Sequence, residues 1–259
     1  MNTIYDKVKD IHYLLKYTPY EDKYGLYTTN ILFTAIKIVD VYHTICIARA
    51  NLHYMDNDDY GNFASDEISK LFVNTLLIQN ALIYYNFAID YSWQVMWLYY
   101  SPMIKDMMPT NELYESTIKE CDYQKLRLRL TLANEFKLRK FYLENFFENN
   151  NTQEIRKLYN FIKHRGTVHF PGLGMNENKA SVGLFGMEMP LISRESIDPD
   201  KLKNQLIDLD NMFVEYFEEI IGFLIPSEYL LNGDGIRSCI NYYQKYKHEL
   251  KEYNKKWKW

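Results

Sequence analysis

The stretch LFVNTLLIQNALIYYNFAIDYSWQVMWLYY, Leu71 to Tyr100, decides the fold class. It contains neither Gly nor Pro and has Asp90 as its lone charged residue. Such a run is long enough to be weighed as a membrane span. However, Asn74, Gln79, Asn80, Asn86, Asp90 and Gln94 are spread through it, and each would be costly in hydrocarbon. A long central helix, whose polar groups find partners on neighbouring helices, is the reading that accommodates them. Ser65, Asp66 and Glu67 supply an N-cap and negative charge for its first turn, and Pro102 closes it.

Working outward, the same helical periodicity recurs on both sides. Ile4, Val8, Ile11 and Leu15 form a one-sided stripe from Thr3 to Tyr17, ended by Pro19. Ile31, Leu32, Ala35, Ile36, Val39, Tyr42 and Ile45 predict a second helix from about Thr29 to Tyr54, with a loop at Asp56 to Gly61. Beyond Pro109, the lack of Gly and Pro predicts helix from about Asn111 to Phe147. Its Lys125, Arg127, Arg129, Lys137, Arg139 and Lys140 read as a solvated face with neighbouring acids. The spacing of Asn151 and Glu154 predicts a further helix from about Thr152, carrying Ile155, Leu158, Tyr159 and Ile162 on its buried side. Asp198-Pro199-Asp200 starts another, which extends to about Leu224, and a last helix is expected from Ile236 to about Tyr253. Ala180 to Leu191 is short, apolar and Gly-punctuated, which suits a small irregular or β-hairpin insert. The whole reads as an all-α helical bundle, one domain over residues 1–259, with a core of about 29–225 and a basic, Trp-containing tail within 236–259.

Composition narrows the function classes. A hydrophobic fraction of 47% and an aromatic fraction of 16% are ample for a buried core. The formal charge of −4 excludes a globally basic nucleic-acid coat protein, leaving local charge as the informative quantity. Cys46, Cys121 and Cys239 lie far apart with no CxxC pair, so buried free thiols are expected rather than a zinc knuckle or a disulfide framework. The N-terminal MNTIYDKVKDIHYLL lacks the layout of a signal peptide, and a cytoplasmic location without a membrane anchor is the expectation.

The candidate site is Lys163-His164-Arg165-Gly166-Thr167-Val168-His169. Gly166, Pro171, Gly172 and Gly174 break the periodicity there, so the chain turns within or just after His169 and the cluster sits at a helix end. If the helix persists to His169, Arg165 and His169 share a face. Arg165 can then hold a phosphate while His169 moves a proton, with no metal required. Basic residues in a last helical turn also interact favourably with its negative end whether or not they bind anything, so a structural role stays open. Asp90, charged in an otherwise uncharged helix, requires a partner if buried and can orient one of these cations. No cysteine or well-spaced carboxylate completes a zinc set around His164 and His169, and no phosphate-binding glycine loop or nucleophile elbow is present.

The long polar-studded helix, the helix ending in Phe161-Ile162-Lys163-His164-Arg165 and the following histidine resemble the HEPN superfamily of helical-bundle proteins. Its motif is an arginine, four to six intervening residues and a histidine, with a polar residue often directly after the arginine. Here three residues separate Arg165 from His169, and Gly166 occupies the polar position. The resemblance implies a cofactor-free, metal-independent endoribonuclease acting on RNA as a homodimer, in the manner of a toxin or antiphage effector. In that role Arg165, His169 and His164 are catalytic, Lys163 and Thr167 contact substrate, and Asp90 supports them. The alternative is a non-catalytic helical interaction or regulatory protein with a protein partner, whose cluster binds phosphate or serves structure.

Overall fold

The computed structural model describes residues 10–19, 27–57, 59–166, 168–173, 179–193, 196–225, 230 and 244. Most of these are helical: α1 Thr29–Tyr54, α2 Glu67–Tyr99, α3 Asn111–Lys119, α4 Tyr123–Leu132, α5 Asn145–Phe147, α6 Asn150–Arg165 and α7 Pro199–Leu224. The all-α class expected from the periodicity is thus the class of the protein. Strands β1 Lys179–Leu184 and β2 Met187–Ser193 pair antiparallel between α6 and α7. The Thr3–Tyr17 helix falls partly outside the described residues, and its described end, Tyr13–Tyr17, is a 3-10 helix. The expected C-terminal helix and tail lie outside them, but for Gln244.

Caps set the boundaries, and two differ from expectation. The α2 cap is Asp66 rather than Ser65: its Oδ1 accepts from the Ser69 amide at 2.9 Å. The α6 cap is Asn149 rather than Asn151, because the Asn149 side chain accepts from the Asn151 amide, and Glu154 accepts from Gln205 Nε2 instead. At α7, Asp198 Oδ1 accepts from the amides of Asp200 and Lys201 at 2.9 and 3.2 Å, as the Asp-Pro-Asp start implied.

The expected continuous helix from Asn111 to Phe147 is broken. Asp122 caps α4 by accepting from the Lys125 amide. Asn134 takes a left-handed φ of 60°, and the amides of Asn134 and Glu135 fold back onto the carbonyls of Thr131 and Leu130. This crossed pair of bonds is how an asparagine ends a helix without a glycine. A π-helical segment, Leu138–Glu144, then leads into α5.

The chain divides into two compact units, with boundaries inside α1, α2 and α7 and just before the π-helical segment. The first comprises His43–Asp90 and Lys137–Tyr216. Leu52, Ile78, Leu82, Ile89, Ile155, Leu206 and Phe213 are buried in it, and Phe146 stacks on Tyr216 at 4.3 Å. Three polar residues of α2 find partners close by in sequence. Asn86 and Gln79 donate to the carbonyls of Leu82 and Thr75 one turn earlier, and Asn74 accepts from Tyr60.

The second unit comprises Asp10–Tyr42, Tyr91–Phe136 and the described residues from Phe217 onward. Phe33, Leu98 and Ile104 form a buried cluster against which Leu113, Tyr114 and Ile118 pack. Lys37 is buried beside the Tyr91 ring, 4.6 Å from its centroid, and pairs with Asp40 at 2.7 Å. Among the described helices, α1 is the one long and apolar enough to cross a membrane by length and composition, whereas the sequence had drawn attention to α2.

Candidate functional site

Helix α6 delivers the cluster in the first unit. Thr152, Ile155 and Tyr159 are buried on one side of it, so its last turn points Lys163, His164 and Arg165 toward solvent. The helix stops there because Gly166 adopts φ 104°, ψ −166°. That region of backbone space is essentially restricted to glycine. A Cβ on Gly166 would meet nothing within 4 Å, so the requirement comes from backbone conformation and not from space.

The break corrects the shared-face geometry. His169 does not continue α6; it lies in a buried segment with Val168 and Phe170 and is itself 8% exposed. Its backbone forms a parallel bridge to Ser196, and its carbonyl accepts from the Ile197 amide at 2.9 Å. Thr167 lies outside the described residues. The structure therefore brings Lys163, His164 and Arg165 together at the surface and withdraws His169 beneath it.

Asp90, half-buried on α2, meets the same helix. Arg156 lies 3.0 Å from its Oδ1, and Lys163, two turns further along α6, adds a weaker attraction. Burial nevertheless dominates and raises the Asp90 pKa, with the Arg156 and Lys163 charges opposing that rise. Tyr159, between the two cations on α6, receives Phe87 edge-on at 6.2 Å. Among the described residues, Lys163, His164 and Arg165 form no ion pair with an acid. Lys163 and Arg165 instead lie 5.9 Å from the ring centroids of Tyr159 and Phe161 on their own helix. Three adjacent donors at a helix end can hold an anion that brings its own negative charge. Among the described residues no three His, Cys, Asp or Glu side chains converge as a metal site.

Two charged arrangements escaped the sequence reading. Arg49 in α1 is 2% exposed, and its Nε and Nη2 donate to the two oxygens of Asp210 in α7, each at 2.8 Å. Tyr85 in α2 donates to Asp210 Oδ1 at 2.9 Å. Burial opposes the Arg49 charge, but the Asp210 bonds outweigh it and raise its pKa; burial and the Asp210 charge drive the Tyr85 pKa well up. Arg49 shares α1 with Lys37 and Asp40, so no isolated charge marks it in the sequence as Asp90 is marked. The second is Arg129, read as part of a solvated face. It is half-buried in the second unit, stacked 3.1 Å from the Trp97 ring centroid. Within that stretch Lys125 is exposed and pairs with Glu120 and Asp122, whereas Arg139 is partly buried and pairs with the buried Glu144. Cys46 and Cys121 are only partly buried, not buried as expected, and Cys239 lies outside the described residues.

Comparison of the chain with protein-family models, with curated proteins and with solved structures returned no match.

Proposed function

We propose that the protein acts on RNA as a HEPN-like, metal-independent endoribonuclease whose substrate contact is the exposed end of α6. The observation carrying this reading is the exposure of Lys163, His164 and Arg165 in succession, without ion-pair partners among the described residues. In the proposed reaction Lys163 and Arg165 hold the scissile phosphate and stabilise the charge that grows on it. His164, rather than the buried His169, takes the proton from the ribose 2′-hydroxyl. The 2′-oxygen then attacks phosphorus, the bond to the 5′-oxygen breaks, and that oxygen takes a proton from solvent water while His164 returns its own to solvent, giving a 2′,3′-cyclic phosphate and a 5′-hydroxyl. His169 holds the segment after Gly166 in place. The resemblance extends the proposal to a cytoplasmic homodimer with paired sites, used as a toxin or antiphage effector.

A second reading is favoured by the burial of His169 and the short motif: a non-catalytic helical protein whose α6 end binds phosphate. Incubation of single-stranded RNA with the protein in EDTA separates the two. Cleavage abolished by His164→Ala and by Arg165→Gln supports the nuclease as drawn. Loss with His169→Ala alone would transfer the proton step to His169. Binding without cleavage selects the second reading, and absence of both would sink the assignment to RNA.

A further inference from the structure

A groove of about 1250 Å³ opens on the second unit, and neither the RNA proposal nor the charge cluster uses it. Its walls come from the start of α1, the end of α2 with the following Pro102–Ile104 turn, and parts of α3 and α4. The lining is predominantly apolar. Met103 is 89% exposed, Leu128 59% and Leu132 75%, an unusual degree of exposure for three large apolar side chains around one concavity.

Arg129 supplies the charge. Its guanidinium stacks on Trp97, and its Nη1 donates to the Trp97 carbonyl at 3.0 Å and to Ser101 Oγ. No carboxylate pairs with it among the described residues, and burial lowers its pKa. A guanidinium that has lost part of its water and has gained only neutral acceptors retains capacity for an anion. The acid on the rim, Glu120, is already matched by Lys125 at 3.3 Å. Lys105, exposed on the same rim, leaves the groove with an excess of positive charge.

We propose that this groove binds an amphipathic carboxylate of the fatty-acid class. The acyl chain lies along Met103, Leu128 and Leu132, and the carboxylate meets the nitrogens of Arg129 that are turned away from Trp97 and Ser101, with Lys105 assisting. Ligand pockets usually enclose roughly 300–1,000 Å³, so the groove has room for a whole chain. The combination of an apolar trough and one uncompensated guanidinium selects this chemistry over an uncharged or cationic amphipath.

The test is calorimetric titration of the full chain with dodecanoate and with dodecyltrimethylammonium, both kept below micelle formation. One saturable dodecanoate site per chain is expected, with binding at least about tenfold weaker for the cationic amphipath, as expected for loss of a charge-assisted contact. Arg129→Gln should weaken dodecanoate binding to a similar degree. Because Arg129 also ties down Ser101, Leu128→Asp on the exposed wall provides a variant that threatens the fold less, and it should abolish binding. Equal affinity for the two amphipaths, no saturable dodecanoate site, or dodecanoate binding unchanged by both substitutions overturns the proposal.

Discussion

Arg49 and Arg165 are the same side chain in opposite settings within one unit. Arg49 is 2% exposed and clasped by both oxygens of Asp210, with Tyr85 on the same carboxylate. Arg165 is exposed at the end of α6, with no ion pair among the described residues. The first has exchanged water for fixed partners, so its charge is committed to holding α1, α2 and α7 in register within that unit. The second keeps its hydration and can exchange it for an incoming phosphate. The difference teaches that a cation's role here follows from what desolvates it, not from its residue type or the charges beside it in sequence.

The largest effect that can break this contrast is on stability. Asp210→Ala leaves Arg49 buried without its counter-charge and should cost about 3–5 kcal/mol in denaturant unfolding. Lys163→Gln and Arg165→Gln should stay within about 0.5 kcal/mol, the range of ordinary surface changes. An Arg165→Gln cost equal to that of Asp210→Ala would erase the distinction. The triple replacement Arg49→Met, Tyr85→Phe and Asp210→Leu sharpens it, because an apolar substitute for the whole network should recover most of the lost stability.

An intermediate effect is expected where α6 ends. Gly166→Ala forces a side chain into a backbone region that only glycine tolerates, and should cost about 1–3 kcal/mol. Unchanged stability would mean that α6 can end in another conformation, and that the surface placement of Arg165 does not depend on this glycine.

The smallest effect concerns Asp90, which lies between the two extremes. Its pKa is raised above the ordinary value of 3.8, so the folded chain holds that proton more tightly than the unfolded chain does. Its contribution to stability is therefore greatest at low pH, declines as pH rises from about that ordinary value through the raised one, and is constant above. Stability of the wild type relative to Asp90→Asn, measured by unfolding across that window, should fall and then level off. A difference that grows with pH would show that attraction to Arg156 outweighs burial.

Several of these features were legible before the fold was known. The helix boundaries at Thr29, Tyr54 and Leu224 follow from apolar periodicity and the Asp198-Pro199 start, both local signals. The break at Asn134 was not legible, because an asparagine in the left-handed region resembles any other polar helical residue until its neighbours' amides fold back. At the candidate site, the position of Lys163, His164 and Arg165 at a helix end could be read from the glycines that follow. The withdrawal of His169 could not, since it depends on Ser196 and Ile197, far along the chain.

By itself the sequence determined the all-α class, most helix limits and the place where α6 exposes its three donors. These depend on backbone preferences and on periodicity within a few turns. Only the tertiary structure decided which charges are buried, with Arg49 on Asp210, Arg129 on Trp97 and His169 beneath the surface. Desolvation is set by residues distant in sequence, and no local pattern encodes it.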